Sequence, residues 1–248
     1  ARRCSRWYAN TGIAADKRTI ILNHRYSRNI AIPDIGNDGQ KMLSRARVLV
    51  IGAGALGSIA ASYLCAAGVG EITVADFDTI DISNLQRQIM YQTADAGNRK
   101  CEVLAERLRQ LNPEVNVTPL RQLIRRDEAA ELFPGFDFII DGTDNPETKF
   151  TVSRICHELG KPCTIGGVEA MHGQIATYIP GSTPFFEIVG EAISGGMTPC
   201  AAAGVLGPAA GVVASLLAAE AIKYITGAGQ LLTDRLLLLD VGAMNFTT

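Results

Sequence analysis

The feature that most constrains this chain is an apolar, largely β-branched run that meets a glycine turn. Arg47-Val48-Leu49-Val50-Ile51 is followed at once by Gly52-Ala53-Gly54-Ala55-Leu56-Gly57. An apolar run without polar alternation predicts a strand covered on both faces, as in parallel sheets. Residues 58–68 then carry apolar side chains at helical spacing and stop at Gly68 and Gly70. Residues 71–75 read as a second strand, which ends on Asp76-Phe77-Asp78. Strand, glycine turn, helix and strand in this order make a βαβ unit.

A G-x-G-x-x-G turn alone is a weak signal, but here a strand precedes it and a helix follows. The glycines permit a tight turn and a close approach of phosphate to backbone N–H groups, and the helix N-terminus adds partial positive charge. Asp76, at the end of the second strand, is placed to accept hydrogen bonds from ribose hydroxyls. The competing account is glycine kept only for helix–strand packing. A nucleotide is expected, and at this level NAD, FAD and ATP all remain compatible.

The βαβ pattern continues. Helices are expected over residues 38–43, 97–111, 127–132 and 147–159, and strands over 115–120, 136–141 and 162–166. Residues 173–179 and 235–241 read as strands added antiparallel to the parallel sheet. The expected fold class is therefore α/β, a Rossmann-like three-layer fold whose parallel sheet is extended by antiparallel strands. Residues 1–24 read as an N-terminal extension and residues 25–248 as one domain.

With 47% hydrophobic and 19% charged residues the chain can bury a sizeable core. A net charge of -2 gives no sign of a nucleic-acid or polybasic membrane surface. The six cysteines are scattered and never paired as C-x-x-C, which fits a reducing compartment. No apolar stretch follows the basic start, so no signal peptide and a cytoplasmic location are expected. Residues 200–219 carry no charge and have the length of a membrane span. They are rich in Ala, Gly and Val, contain Pro208, and are followed by Glu220 and Lys223. A buried helix packing through small residues is the better account.

The segment beyond the second strand narrows the nucleotide. Residues 78–88 read DTIDISNLQRQ, a polar loop at the strand end, where ligands of open α/β sheets bind. Asn84, Arg87 and Gln88 can donate to phosphate, Arg87 through a planar fork. Lys100 stands on the first turn of the next expected helix as a point charge for a phosphate. A hydride-transfer enzyme needs no such set of phosphate ligands, whereas a nucleotidyl transferase must stabilise charge on leaving pyrophosphate. Either cation taken alone reads as a solvated surface charge. Asp144, just past the fourth strand, reads equally well as a helix N-cap or as a carboxylate that holds Mg²⁺ against ATP phosphates.

These residues make the chain resemble the ThiF/MoeB/HesA family, relatives of the ubiquitin-activating enzymes. The resemblance runs from Arg25 to about Gly242. It rests on RYSRNI at 25–30, GAGALG at 52–57, the run from Asp76 to Gln88, Lys100, TDN at 143–145, Gly173-Gln174 and CAAAGVLGP at 200–208. It implies an ATP-dependent adenylyltransferase acting on the C-terminal carboxylate of a small ubiquitin-like sulfur carrier (ThiS- or MoaD-like) and releasing pyrophosphate. By that resemblance Arg87, Lys100 and Asp144 are the catalytic set, with Asp144 on Mg²⁺. ATP would be held by Gly52, Gly54, Ala55, Gly57, Asp76, Asp78, Ser83, Asn84, Gln88 and Asn145. Arg28 would reach across a homodimer to the partner's ATP. Cys200 falls where some members carry a thiol that bonds the carrier's thiocarboxylate. Its place before a helix would favour thiolate, and a packing role is the alternative.

The chain departs from the family in lacking both C-x-x-C pairs that hold a structural zinc, so no zinc is expected. Lys149 stands where the family often has Arg. These departures leave open a different acceptor, such as a peptide in a specialised pathway. An NAD- or FAD-dependent oxidoreductase is the runner-up from another class. Arg87, Lys100 and Asp144 speak against it, as do histidines at 24, 157 and 172 that lie away from the glycine turn. A non-catalytic scaffold is the third reading.

Overall fold

The computed structural model describes residues 25–190 and 204–248. Two short helices, α1 (Ser27–Ile30) and α2 (Gly36–Leu43), lead into the expected unit of β1 (Arg47–Ile51), α3 (Gly57–Ala67) and β2 (Glu71–Ala75). Next come α4 (Lys100–Leu111), β3 (Asn116–Leu120), α5 (Arg126–Leu132), β4 (Phe138–Asp141), α6 (Pro146–Leu159) and β5 (Cys163–Glu169). The chain continues through β6 (His172–Tyr178), α7 (Phe185–Val189), α8 (Gly207–Thr226), β7 (Leu237–Asp240) and β8 (Asn245–Thr247).

The strands form an eight-stranded sheet in the order β3-β2-β1-β4-β5-β6-β7-β8. The first five run parallel and β6 and β7 are added antiparallel, as expected, with β8 antiparallel beyond them. From β1 the chain builds outward first to β2 and β3, then returns to place β4 on the other side. The helices that follow β1 and β4 therefore leave to opposite faces, and a crevice opens at their C-terminal ends. Pro119 lies in β3, at the sheet edge, where its missing N–H leaves no ladder bond unmade.

Alternation along each central strand builds two cores. Val48 and Val50 of β1, with Phe138 and Ile140 of β4, pack under Leu64 of α3, Leu104 of α4 and Val213 of α8. Leu49, Ile51 and Ile139 face the other way, toward Ala129 of α5, Val152 of α6 and Phe185 of α7. The result is the expected three-layer α/β/α arrangement. Each fully buried aliphatic side chain contributes about 2 kcal/mol.

The uncharged segment lies partly within α8. This helix has the length and composition of a membrane span, yet it packs against β4, β5 and β6 and against α2 and α3. Two strand glycines let it come close. A Cβ on Gly166 would lie 2.8 Å from Leu217, and one on Gly173 would lie 2.4 Å from Val213. Glu220 of α8 is buried, with Oε2 accepting from Thr177 Oγ1 at 2.6 Å and Leu232 N at 2.8 Å.

Beyond shifts of one or two residues, two boundaries differ from expectation, and α1, α7 and β8 are short elements that were not expected. α4 begins at Lys100 rather than 97, because Gly97 is left-handed (φ +87°) and the Lys100 N–H bonds Asp78 O. β5 runs to Glu169, three residues beyond its expected end, because β6 pairs with it as far as Glu169 opposite His172. Gly166 and Gly167 had masked that continuation. β8 was not anticipated, and its three residues carry little periodic signal.

Candidate functional site

The C-terminal ends of β1 and β4 open into a cleft of about 800 Å³. Its floor is a nest of glycines. Gly52 is left-handed (φ +88°), and a Cβ there would sit 3.1 Å from the carbonyl of Gly142. A Cβ on Gly57 would lie 1.7 Å from Gly52 O, so the turn and the start of α3 touch backbone to backbone. Gly52, Gly54 and Ala55 line the cleft, while Gly57 sits behind them in this packing role. Tyr91, absent from the expected set, donates its hydroxyl to Ala53 O at 2.6 Å and braces the turn from beneath.

Asp76 is buried at the end of β2 and lines the cleft. Its Oδ2 accepts from Ala53 N at 2.6 Å and its Oδ1 from Asp78 N at 2.7 Å. Burial raises the carboxyl above its ordinary range, while those two N–H groups and the Lys100 charge pull it back. Asp76 thus couples the glycine turn to the loop that begins at Asp78.

Three of the expected phosphate ligands reach the same cleft. Lys100, the first residue of α4, is nearly buried, and its Nζ meets Asp78 Oδ2 at 3.0 Å. Arg87 is half-buried, with Nη1 donating to Ser83 O at 3.3 Å. Gln88 is buried, and its Oε1 has no hydrogen-bond partner. Ser83 and Asn84 do not line the cleft. They build a capping turn on Asp81, whose Oδ1 accepts from Ser83 N and Oγ while Asn84 Oδ1 accepts from Asp81 N.

Across the crevice, Thr143-Asp144-Asn145 follows β4 and lines the cleft with Asp144 exposed. The N-cap of α6 is Asn145, whose Oδ1 accepts from Glu147 N at 2.8 Å. The N-cap account of Asp144 therefore falls. Among the described residues Asp144 makes no ion pair, which leaves its carboxylate free toward the cleft. No group of three or more metal-ligating side chains occurs among the described residues. Mg²⁺ is usually held by one or two carboxylates together with phosphate oxygens and water, and Asp144 could supply a carboxylate to such a set.

Beneath this turn lies a buried pair, Asp141 and Lys149. Asp141 is fully buried, and its Oδ1 accepts from Thr143 N at 2.8 Å and Thr143 Oγ1 at 2.7 Å. Lys149 Nζ donates to Thr143 O at 2.6 Å and to Gly166 O, with Asp141 Oδ1 at 3.7 Å. Arg28 is exposed on α1 and does not line this cleft. Cys200, and the part of the expected zinc region within residues 191–203, lie outside the described residues.

The ThiF family model matches residues 26–248. Over 230 residues the chain is 41% identical to the "Probable adenylyltransferase/sulfurtransferase MoeZ" of Mycobacterium tuberculosis, covering 90% of this chain but 59% of that protein. The chain thus spans about three-fifths of that relative's length. It is 38% identical over 229 residues to the sulfur carrier protein adenylyltransferase of Thermus thermophilus, covering 90% of this chain and 84% of the relative. The crystal structure of E. coli MccB with AMPCPP and MccA matches with a TM-score of 0.78 at 25% identity, covering 92% of this chain and 71% of MccB.

Proposed function

The chain belongs to the ThiF family, and from that premise we propose that it uses ATP to adenylate the C-terminal carboxylate of a small ubiquitin-like sulfur-carrier protein. The acceptor carboxylate attacks the α-phosphorus of ATP, the bond from that phosphorus to the bridging oxygen breaks, and pyrophosphate leaves with the electron pair. The product is an acyl-adenylate, the activated form needed for sulfur transfer in thiamine- or molybdopterin-type cofactor synthesis. The single observation that carries this reading is the convergence of Arg87, Lys100 and Asp144 with Gly52 and Gly54 on one crevice.

Each group has a defined task. The N–H groups of Gly54 and Ala55 and the N-terminus of α3 receive phosphate, because those of Gly52 and Ala53 are already bonded to Ala75 O and Asp76 Oδ2. Asp76 offers its remaining lone pairs to the ribose. Arg87 and Lys100 offset the charge that develops on leaving pyrophosphate, and Asp78 holds Lys100 in place beforehand. Gln88 Oε1, buried without a partner, awaits a donor from the ligand. Asp144, with phosphate oxygens, would hold Mg²⁺, which supplies Lewis-acid stabilisation of the phosphates. Asn145 sets the direction of α6 from the same turn.

The assembly is read as a cytoplasmic homodimer in which Arg28 serves the partner's ATP. An apolar groove between α3 and α8, with Tyr63 and Ile89 exposed on its rim, supports such a contact. Cys200 is the candidate thiol for a later sulfur-transfer step. A second reading, favoured by the absence of a C-x-x-C pair between residues 181 and 198, keeps the same chemistry with a peptide or another carrier as acceptor. ATP–pyrophosphate exchange with candidate acceptors tests the proposal. Exchange is expected only when the acceptor ends in a free carboxylate, and its absence with every such acceptor refutes adenylation.

A further inference from the structure

We propose that Lys149 is a positioning residue: through Thr143 it fixes the turn that presents Asp144 to the metal. The inference rests on the reading of Asp144 as the Mg²⁺ carboxylate.

The location of Lys149 calls for a local explanation. It lies in the first turn of α6, where a cation works against the helix dipole. Its side chain is 6% exposed and that of Asp141 is fully buried, so both charges have lost most of their water. Burying such a pair is costly, and apolar side chains of similar size often serve stability as well or better. Stability is thus a poor reason for a lysine here, and its bonds show what it does instead.

Nζ ties three pieces of chain together. It donates to Thr143 O in the turn at 2.6 Å and to Gly166 O in β5, and it lies 3.7 Å from Asp141 at the end of β4. The Thr143 carbonyl belongs to the peptide unit that leads into Asp144, so moving Nζ moves the Asp144 backbone. From the other side, Asp141 Oδ1 holds Thr143 N and Oγ1. The turn is clamped at both its N–H and its C=O, and the clamp is anchored to β5. Gly166 lies close under α8, where a Cβ would sit 2.8 Å from Leu217 and 3.0 Å from Val213. Nζ thus donates to two carbonyls and lies beside one carboxylate. The planar fork of arginine could span the same acceptors from one side chain.

The test is a Mn²⁺ titration followed by EPR, with saturating AMPCPP, on wild type, Lys149→Met, Lys149→Arg and Asp144→Asn. Loss of a group that orients a metal ligand typically weakens metal binding by about 10- to 100-fold. Lys149→Met is expected to lose about tenfold in Mn²⁺ affinity while AMPCPP binding without metal stays within about twofold. Lys149→Arg is expected to recover most of that loss. A merely structural lysine would lower the melting temperature without this metal-specific change. If Asp144→Asn weakens Mn²⁺ binding but Lys149→Met does not, the inference fails while the reading of Asp144 stands. If Asp144→Asn also leaves Mn²⁺ binding unchanged, both fail. Should Lys149→Met not fold, the double variant Lys149→Met with Asp141→Asn removes the buried carboxylate left without its cation, and it is expected to weaken Mn²⁺ by a similar factor. An unchanged affinity there overturns the proposal.

Discussion

Asp76 shows how much a single residue can be asked to do. Its two oxygens already accept from Ala53 and Asp78, so it shapes the turn and loop before any ligand arrives. Burial raises its pKa above the ordinary 3.8, which means the native chain holds that proton more tightly than the unfolded chain does. On this group's account, native stability is fully present below 3.8 and is lost as pH rises through the raised native value. NMR titration of the Asp76 carboxyl is therefore expected to give a midpoint above 3.8, and Lys100→Met is expected to raise it further by removing a favourable charge. A midpoint that Lys100→Met leaves in place would contradict this electrostatic coupling. The acid itself was legible in the sequence, because a carboxylate at the end of the second strand of a βαβ unit has a known use. Tyr91 was not legible, since a lone Tyr in a polar loop gives no hint that its hydroxyl finds Ala53 O, 38 positions away.

At the scale of elements, the glycine turn and the start of α3 are one packed object. The missing side chain of Gly57 is what lets Gly52 O approach. Gly57→Ala puts a Cβ 1.7 Å from that oxygen, and the turn must shift. A loss of about 3 kcal/mol is expected by urea denaturation, at the upper end for overpacking. A loss below about 0.5 kcal/mol would show that the turn gives way freely. Central strands and main helices were legible because apolar runs and helical spacing survive any tertiary detail. Boundaries set by single backbone bonds were not. The start of α4 depends on Lys100 N reaching Asp78 O, and the identity of the α6 cap turned on whether Asp144 or Asn145 bonds Glu147. Lys149 was noticed only as a change from Arg. That it clamps Thr143 to Gly166 requires β4 and β5 to be neighbours, a fact of sheet order that no local pattern carries.

For the whole molecule, sheet order turns scattered residues into a site. Gly52, Lys100 and Asp144 are far apart in sequence, and they converge because β1 and β4 are adjacent while the chain departs from them in opposite directions. Sequence motifs pointed to these residues, and topology explains their meeting. Arg28 is different: it is exposed and away from its own chain's cleft, so its proposed role needs a second copy. Mixing Arg28→Ala with Arg87→Ala protein gives hybrid dimers in which one of the two sites has both arginines. About a quarter of wild-type sites should be restored on random reassociation of a two-fold dimer. Additive residual activity with no restoration would contradict the shared site.

The most direct test of adenylation is pyrophosphate exchange into ATP, measured with and without a carboxylate-ending carrier, for wild type and Arg87→Ala. The account predicts exchange in wild type that requires the carrier, with Arg87→Ala reducing it by about 100-fold or more. Exchange at wild-type rate in Arg87→Ala, or in the absence of any acceptor, would contradict it.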